Sequence, residues 1–260
     1  MNFYYSKTDF LNYEIAGKGT PLVLLHGLGG SINSWSLVRE ELEKHFQLIL
    51  VDLKGFGDSS KPETGYSPQD QADLVVKLVK ELKLKEFILC GHSHGGLIAL
   101  LACFQVKPKK LVLIDAPLFD EELPSFLQPL RNPFLLKMFL AMYPPKARAS
   151  LLMEKLFYAP EKLPEKIKKR YELFLSTNDS IRVMSESAKA FQINSKQIQS
   201  FNTLGIELLL VWGAKDEVVP VAHAEKMHSL VKSELKLIPE CGHNPHEEKP
   251  TELKNILLNS

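Results

Sequence analysis

Short apolar runs rich in leucine and β-branched residues alternate with stretches of helical spacing, the pattern of a parallel sheet flanked by helices. The runs lie at 21–26, 47–52, 87–90, 111–115, 207–212 and 234–238. Residues 22–25 and 206–211 are nearly continuous in apolar side chains, as expected of central strands covered on both faces. Residues 2–17 mix aromatic and polar side chains ahead of Gly17 and Gly19, and predict one or two antiparallel strands at the sheet edge.

Helix signals fill the intervals. Ser67-Pro68-Gln69-Asp70 places a capping residue, a proline at the first helical position and an acid in the first turn. Ala72, Val75, Val76, Val79 and Leu82 then fall on one stripe. Weaker stripes run through 35–46, 97–104 and 221–231, and Leu253, Ile256 and Leu257 suit a short C-terminal helix.

Between 118 and 200 the pattern changes. No strand-like run appears, and prolines at 124, 129, 133, 144, 145, 160 and 164 separate helical stretches. This predicts an all-helical lobe, 118–200, inserted into an α/β core made of 1–117 and 201–260. The lobe holds 13 Lys and Arg against 9 Asp and Glu, with Lys166, Lys168, Lys169 and Arg170 clustered. Such a run reads first as a solvated helix face. Within the lobe, 134–143 is apolar but for one lysine, which suits either a lid over an apolar acyl pocket or ordinary packing between lobe and core.

Composition narrows the possible partners. Thirty-two Lys and Arg nearly cancel 31 Asp and Glu, too even a balance for the electrostatic grip on phosphates that nucleic-acid binding needs. The longest wholly apolar run, 97–104, is far short of the roughly 18 residues that read as a membrane span. No export signal is visible in the first ten residues, and Cys90, Cys103 and Cys241, odd in number and beside apolar runs, suit buried thiols in a reducing compartment. A soluble, cytoplasmic protein is expected.

The chemistry concentrates in three places. Phe87–Gly96 reads as a strand entering Gly91-His92-Ser93-His94-Gly95 and then an apolar helix. A nucleophile on so sharp a turn sits in strained backbone geometry, and the flanking glycines leave room for the neighbouring strand and helix. A serine hydroxyl needs a base to activate it and a group to orient that base. His243, on a loop after the last strand, is the candidate base, and Asp216, on the turn after the strand at 207–212, the candidate acid. Asp115, which ends the run at 111–115, is a competing position for the acid. Five histidines (26, 92, 94, 243 and 246) form no ligand pair on a helix face with a nearby carboxylate, so no metal is expected.

In the order Ser93, Asp216, His243, and in His26-Gly27, Asp52-x-x-Gly55-x-Gly57-x-Ser59, Trp212-Gly213-x-x-Asp216 and Gly242-His243-x-Pro245-x-x-Glu248-x-Pro250, the chain resembles the α/β-hydrolase superfamily from about residue 20 onward, in its branch with a helical cap. The resemblance implies the α/β-hydrolase fold, a mostly parallel central sheet flanked by helices, with an inserted all-helical cap. It also implies an oxyanion hole made by the backbone amides of Leu28 and His94. The expected activity is a serine hydrolase acting on a small-molecule acyl substrate, a carboxylic ester first, through an acyl-enzyme and without a cofactor. A serine at 93 departs from the carboxylate nucleophile of epoxide hydrolases and haloalkane dehalogenases, so likeness to those stops at the fold. A C–C bond hydrolase, a thioesterase with an acyl carrier protein docked on the basic cluster, and a ligand receptor on the same fold remain open at this point.

Overall fold

The computed structural model describes residues 1–119, 124–191 and 200–259. Its sheet has eight strands: β1 (Asn2–Tyr4), β2 (Phe10–Ala16), β3 (Thr20–Leu25), β4 (Phe46–Val51), β5 (Ile88–His92), β6 (Lys110–Ile114), β7 (Glu207–Gly213) and β8 (Glu234–Ile238). They are ordered β1-β2-β4-β3-β5-β6-β7-β8. β1 and β2 pair antiparallel at the edge, β2 pairs antiparallel with β4, and the rest run parallel. Three strands end one residue before their apolar runs do, at Leu25, Val51 and Ile114. His26, Asp52 and Asp115 therefore stand just past the C-terminal edge of the sheet, where open α/β sheets bind ligands.

Leucine and valine in unbroken succession serve both faces because strand side chains alternate. Val23, Leu25, Ile49 and Val51 join one core, while Leu22, Leu24, Leu48 and Leu50 join the other with Trp35, Leu42 and Leu253. On the first face pack α1 (Pro68–Glu81) and α2 (His94–Ala102). α1 opens with a reciprocal capping box, in which the Ser67 hydroxyl accepts the Asp70 amide and the Asp70 carboxylate accepts the Ser67 amide, and it buries Ala72, Val75, Val76 and Val79. α2 has all nine residues buried.

The stripe at 35–46 does not form one helix. A 3-10 turn at Ile32–Trp35 and a single α turn at Arg39–Leu42 replace it, and Phe46 starts β4 opposite Thr20. The 3-10 turn is anchored by Ile32 N–H donating to Asp52 Oδ1 (2.7 Å).

Between β6 and β7 the described residues form helices and no strand: a 3-10 segment at Ser125–Arg131, α3 (Pro133–Met142), α4 (Pro145–Leu156), α5 (Glu165–Phe174) and α6 (Asn178–Ala190). Asn132 caps α3 by accepting from the Phe134 and Leu135 amides. One face of α3 leaves Phe134, Leu135, Met138 and Met142 exposed, whereas Leu136, Phe139 and Leu140 line a cavity. The basic cluster is not wholly solvated. Lys166 and Lys169 face water, but the Arg170 guanidinium turns inward, ion-pairs with buried Glu247 and donates to the Asn33 carbonyl (3.0 Å). α7 (Ala222–Leu230) and α8 (Pro250–Leu258) complete the core. Among the described residues no helix is long and apolar enough to cross a membrane.

Candidate active site

Ser93 links β5 to α2 with φ 52° and ψ −122°, a conformation that costs a non-glycine residue about 1–3 kcal/mol and persists only where surrounding packing enforces it. That packing explains the two glycines. A Cβ on Gly91 would lie 2.2 Å from the Gly95 carbonyl oxygen, and one on Gly95 would lie 2.4 Å from that of His26. Strand and helix approach so closely at this turn that neither position has room for a side chain. The Ser93 amide donates to the Ile114 carbonyl (2.8 Å), tying the turn to the neighbouring strand.

The three residues singled out by sequence meet here although they lie 123 and 27 positions apart along the chain. Ser93 Oγ is 2.8 Å from His243 Nε2, and His243 Nδ1 is 2.7 Å from Asp216 Oδ2. Asp216 Oδ1 accepts the amides of Val218 (2.7 Å) and Val219 (3.0 Å). A carboxylate so occupied can only accept, which assigns the proton on His243 to Nδ1 and leaves Nε2 free to accept from the serine hydroxyl.

Asp115, the competing acid, makes no hydrogen bond to His243, whose Nδ1 is taken by Asp216. Asp115 Oδ1 accepts the Gly213 amide (2.8 Å), and burial and then the nearby Asp216 charge push its carboxyl well above the ordinary range. Ligand atoms of Asp115, Asp216 and His243 lie within 4.8 Å of one another. An ion there would have to take His243 Nδ1 and Asp216 Oδ2 from the hydrogen bond they make with each other.

Leu28 lies on the loop after β3 and His94 heads α2, where the first backbone N–H groups have no partner inside the helix. Both line cavities that open at Ser93. The loop carrying Leu28 passes so near the nucleophile that a Cβ on Gly27 would sit 3.1 Å from Ser93 Cβ. His26 pins this loop. Its Nε2 accepts the Leu53 amide (3.0 Å), which puts the proton on Nδ1, and Nδ1–H donates to the Gly27 carbonyl (2.8 Å).

Several supporting residues were visible in sequence only as members of motifs, and of these Ser59 alone was expected to tighten a loop by local hydrogen bonds. Asp52 accepts from the amides of Ile32 and Asp58 and from Asn12 Nδ2, tying the turn after β3, its own loop and strand β2 to one carboxylate. Ser59 donates to the Asp52 carbonyl (2.6 Å), a loop-tightening contact. Glu248 accepts the Gly242 amide (2.6 Å) and the Ala159 amide (2.7 Å), so one side chain holds the His243 loop against the helical segment. His92 Nε2–H donates to the His243 carbonyl (2.7 Å), and the His243 amide to the Leu156 carbonyl (2.7 Å). Arg170, Tyr171 and Glu247 had no readable signal, because their ion pair joins segments 77 residues apart.

The described site is thus a strained serine, an imidazole and a carboxylate in continuous hydrogen-bonded contact at the C-terminal edge of a mostly parallel sheet. Residues 20–250 match the family model described as the alpha/beta hydrolase fold. The chain belongs to this family. It is a hydrolase, and its relatives include proteins named for such activity. The uncharacterized hydrolase YugF of Bacillus subtilis (strain 168) is 26% identical over 258 residues, covering 96% of this chain and 90% of its own. An esterase (EaEST) from Exiguobacterium antarcticum superposes with a TM-score of 0.82 at 25% identity, over 96% of this chain and 95% of that one. A thermophilic esterase from Thermogutta terrifontis gives 0.82 at 24% identity, over 98% and 94%, a likeness of fold.

Proposed function

We propose that this hydrolase cleaves carboxylic esters of small acyl compounds through an acyl-enzyme on Ser93, with the helical segment 118–200 serving as a cap over the site. The observation that carries the proposal is the unbroken contact from Ser93 Oγ through His243 to Asp216. Ser93 Oγ attacks the ester carbonyl while His243 Nε2 takes its proton. The negative charge that develops on the carbonyl oxygen is met by the backbone N–H groups of Leu28 and His94, each such donor being worth about 3–4 kcal/mol of barrier. His243 returns the proton to the leaving alcohol as the carbonyl–alkoxide bond breaks, and the acyl-enzyme remains. Water then attacks the acyl carbonyl, gives its proton to His243 and releases the acid, and Ser93 recovers its proton. Asp216 does not change protonation. It holds the imidazole in the productive tautomer and balances the imidazolium.

A serine at the nucleophile position favours acyl transfer over epoxide opening, which requires a carboxylate there to form an alkyl ester. The two esterase structures of like fold point the same way. A fluorophosphonate reagent tests the proposal. Stoichiometric labelling of Ser93, lost in Ser93→Ala, together with turnover of p-nitrophenyl acetate, is the expected result. Absence of labelling at pH 8, with ligand binding retained, would instead make the protein a receptor on a hydrolase scaffold.

A further inference from the structure

Beside the two small cavities at Ser93, of about 80 and 90 Å³, the helical segment forms a third, partly open to solvent, of about 330 Å³. Leu136, Phe139 and Leu140 of α3, Leu151 of α4 and Ile181 of α6 form its far walls. Its near wall is shared. Phe126, Leu127, Leu152 and Met184 line both this chamber and the cavity holding Ser93 and His243, and Leu127 lines all three.

We propose that this chamber receives a straight hydrocarbon chain of the substrate ester, extending from the carbonyl at Ser93 past Leu127. The inference rests on the serine-hydrolase proposal above and adds the substrate class. Two observations single out an apolar occupant. First, only two of the lining side chains carry a charge, and neither is free. The Arg148 guanidinium donates to the carbonyls of Tyr143 (2.6 Å), Leu175 (2.9 Å) and Leu140 (2.9 Å), while Lys155 reaches Glu217 at the surface (3.4 Å). Second, none of the buried side-chain polar atoms without a partner among the described residues belongs to this lining. A sugar, nucleotide or amino-acid group would give up its water here and find no donor or acceptor in return. A hydrocarbon chain gives up nothing and removes apolar wall from water. The shared wall points to the chain's origin, since a group attached to the ester at Ser93 meets Leu127 on its way to the chamber.

Either side of the ester could supply the chain, and two homologous substrate series separate them: p-nitrophenyl esters from acetate to dodecanoate, and alkyl acetates from methyl to decyl. One series is expected to gain about fourfold in kcat/KM per added methylene once the chain passes Leu127, more than 100-fold in all before a plateau. The other series stays flat. Both flat, with turnover present, overturns the chamber proposal and leaves the serine-hydrolase proposal intact. Leu140→Trp and Ile181→Trp fill the chamber from its far walls and are expected to lower the ratio of long-chain to acetate turnover at least tenfold. An unchanged ratio in both overturns the proposal. Calorimetric titration of Ser93→Ala with dodecanoic acid and with butyric acid reads the chamber without catalysis. Binding of the longer acid at least 100-fold tighter supports the chamber even if the wild-type protein turns over no ester, and equal affinities overturn it.

Discussion

Asp216→Asn puts the hydrogen-bond logic of the site to its most direct test. The carboxylate accepts two backbone amides on Oδ1 and the imidazole Nδ1–H on Oδ2. An asparagine keeps its carbonyl oxygen on Val218 and Val219, because turning it round would leave two buried amides unpartnered. Its NH₂ therefore faces His243 Nδ1, which must then be the unprotonated nitrogen. Nε2 becomes N–H and can no longer take the serine proton. The corresponding change in a serine protease lowers kcat about 10⁴-fold, or about 5 kcal/mol of barrier, and the same loss is expected here. Weakening two charge-assisted hydrogen bonds to neutral ones costs about 2 kcal/mol of stability, a fall of roughly 4–8 °C in Tm for a chain of this size. Initial rates on p-nitrophenyl acetate at pH 8 and thermal unfolding followed by circular dichroism read the two effects separately. Asp115→Asn is the control: it can still accept the Gly213 amide, so less than tenfold loss of rate is expected. If Asp216→Asn stayed within tenfold of wild type while Asp115→Asn lost a thousandfold, the acid would be Asp115 and the tautomer argument wrong.

Other consequences can be checked in the same way. Gly91→Ala drives a methyl to within 2.2 Å of the Gly95 backbone oxygen, an atom that cannot rotate aside, so loss of at least about 3 kcal/mol and of fluorophosphonate labelling is expected, read by urea denaturation and gel fluorescence. Arg170→Met leaves Glu247 buried without its cation and is expected to cost about 3–5 kcal/mol, whereas Arg170→Met with Glu247→Leu recovers much of that; equal stability of single and double variants would show that the pair is not coupled. Stability should fall as pH drops below about 6.5. Burial lowers the pKa of His94 to about 4 and those of His26, His92 and His246 in the same direction, so in that window the unfolded chain binds protons that the native chain refuses. Asp115 and Glu247, whose carboxyls burial raises, oppose this with at most two protons against four. His94→Gln, which removes one such proton, is expected to flatten the slope by roughly 1 kcal/mol per pH unit, and an unchanged slope in Tm against pH would remove His94 from the account.

Local pattern was enough to mark the sheet, α1, α2 and the order of the three chemical residues. Each of those signals lies within a few residues of chain: alternation across a strand, a stripe along a helix, a capping box, glycines where backbones nearly touch. Ser93 was readable because its turn admits no side chain at 91 or 95, and His243 and Asp216 because each follows a strand that ends at the same edge. Sequence favoured Asp216 over Asp115 by the order of the motifs, but both follow parallel strands, and the contact of the His243 ring with Asp216 is a matter of tertiary structure. The stripe at 35–46 misled because Phe46, at its end, pairs with Thr20 as the first residue of β4, leaving only a single α turn at Arg39–Leu42. Arg170 looked like one more surface charge until Glu247 was seen to face it. The apolar stretch at 134–143 allowed a pocket or plain packing, and the place of the chamber behind Leu127 could not be read from it. Such a volume arises from how helices cross, and chain order carries no record of which apolar faces meet and which stay apart.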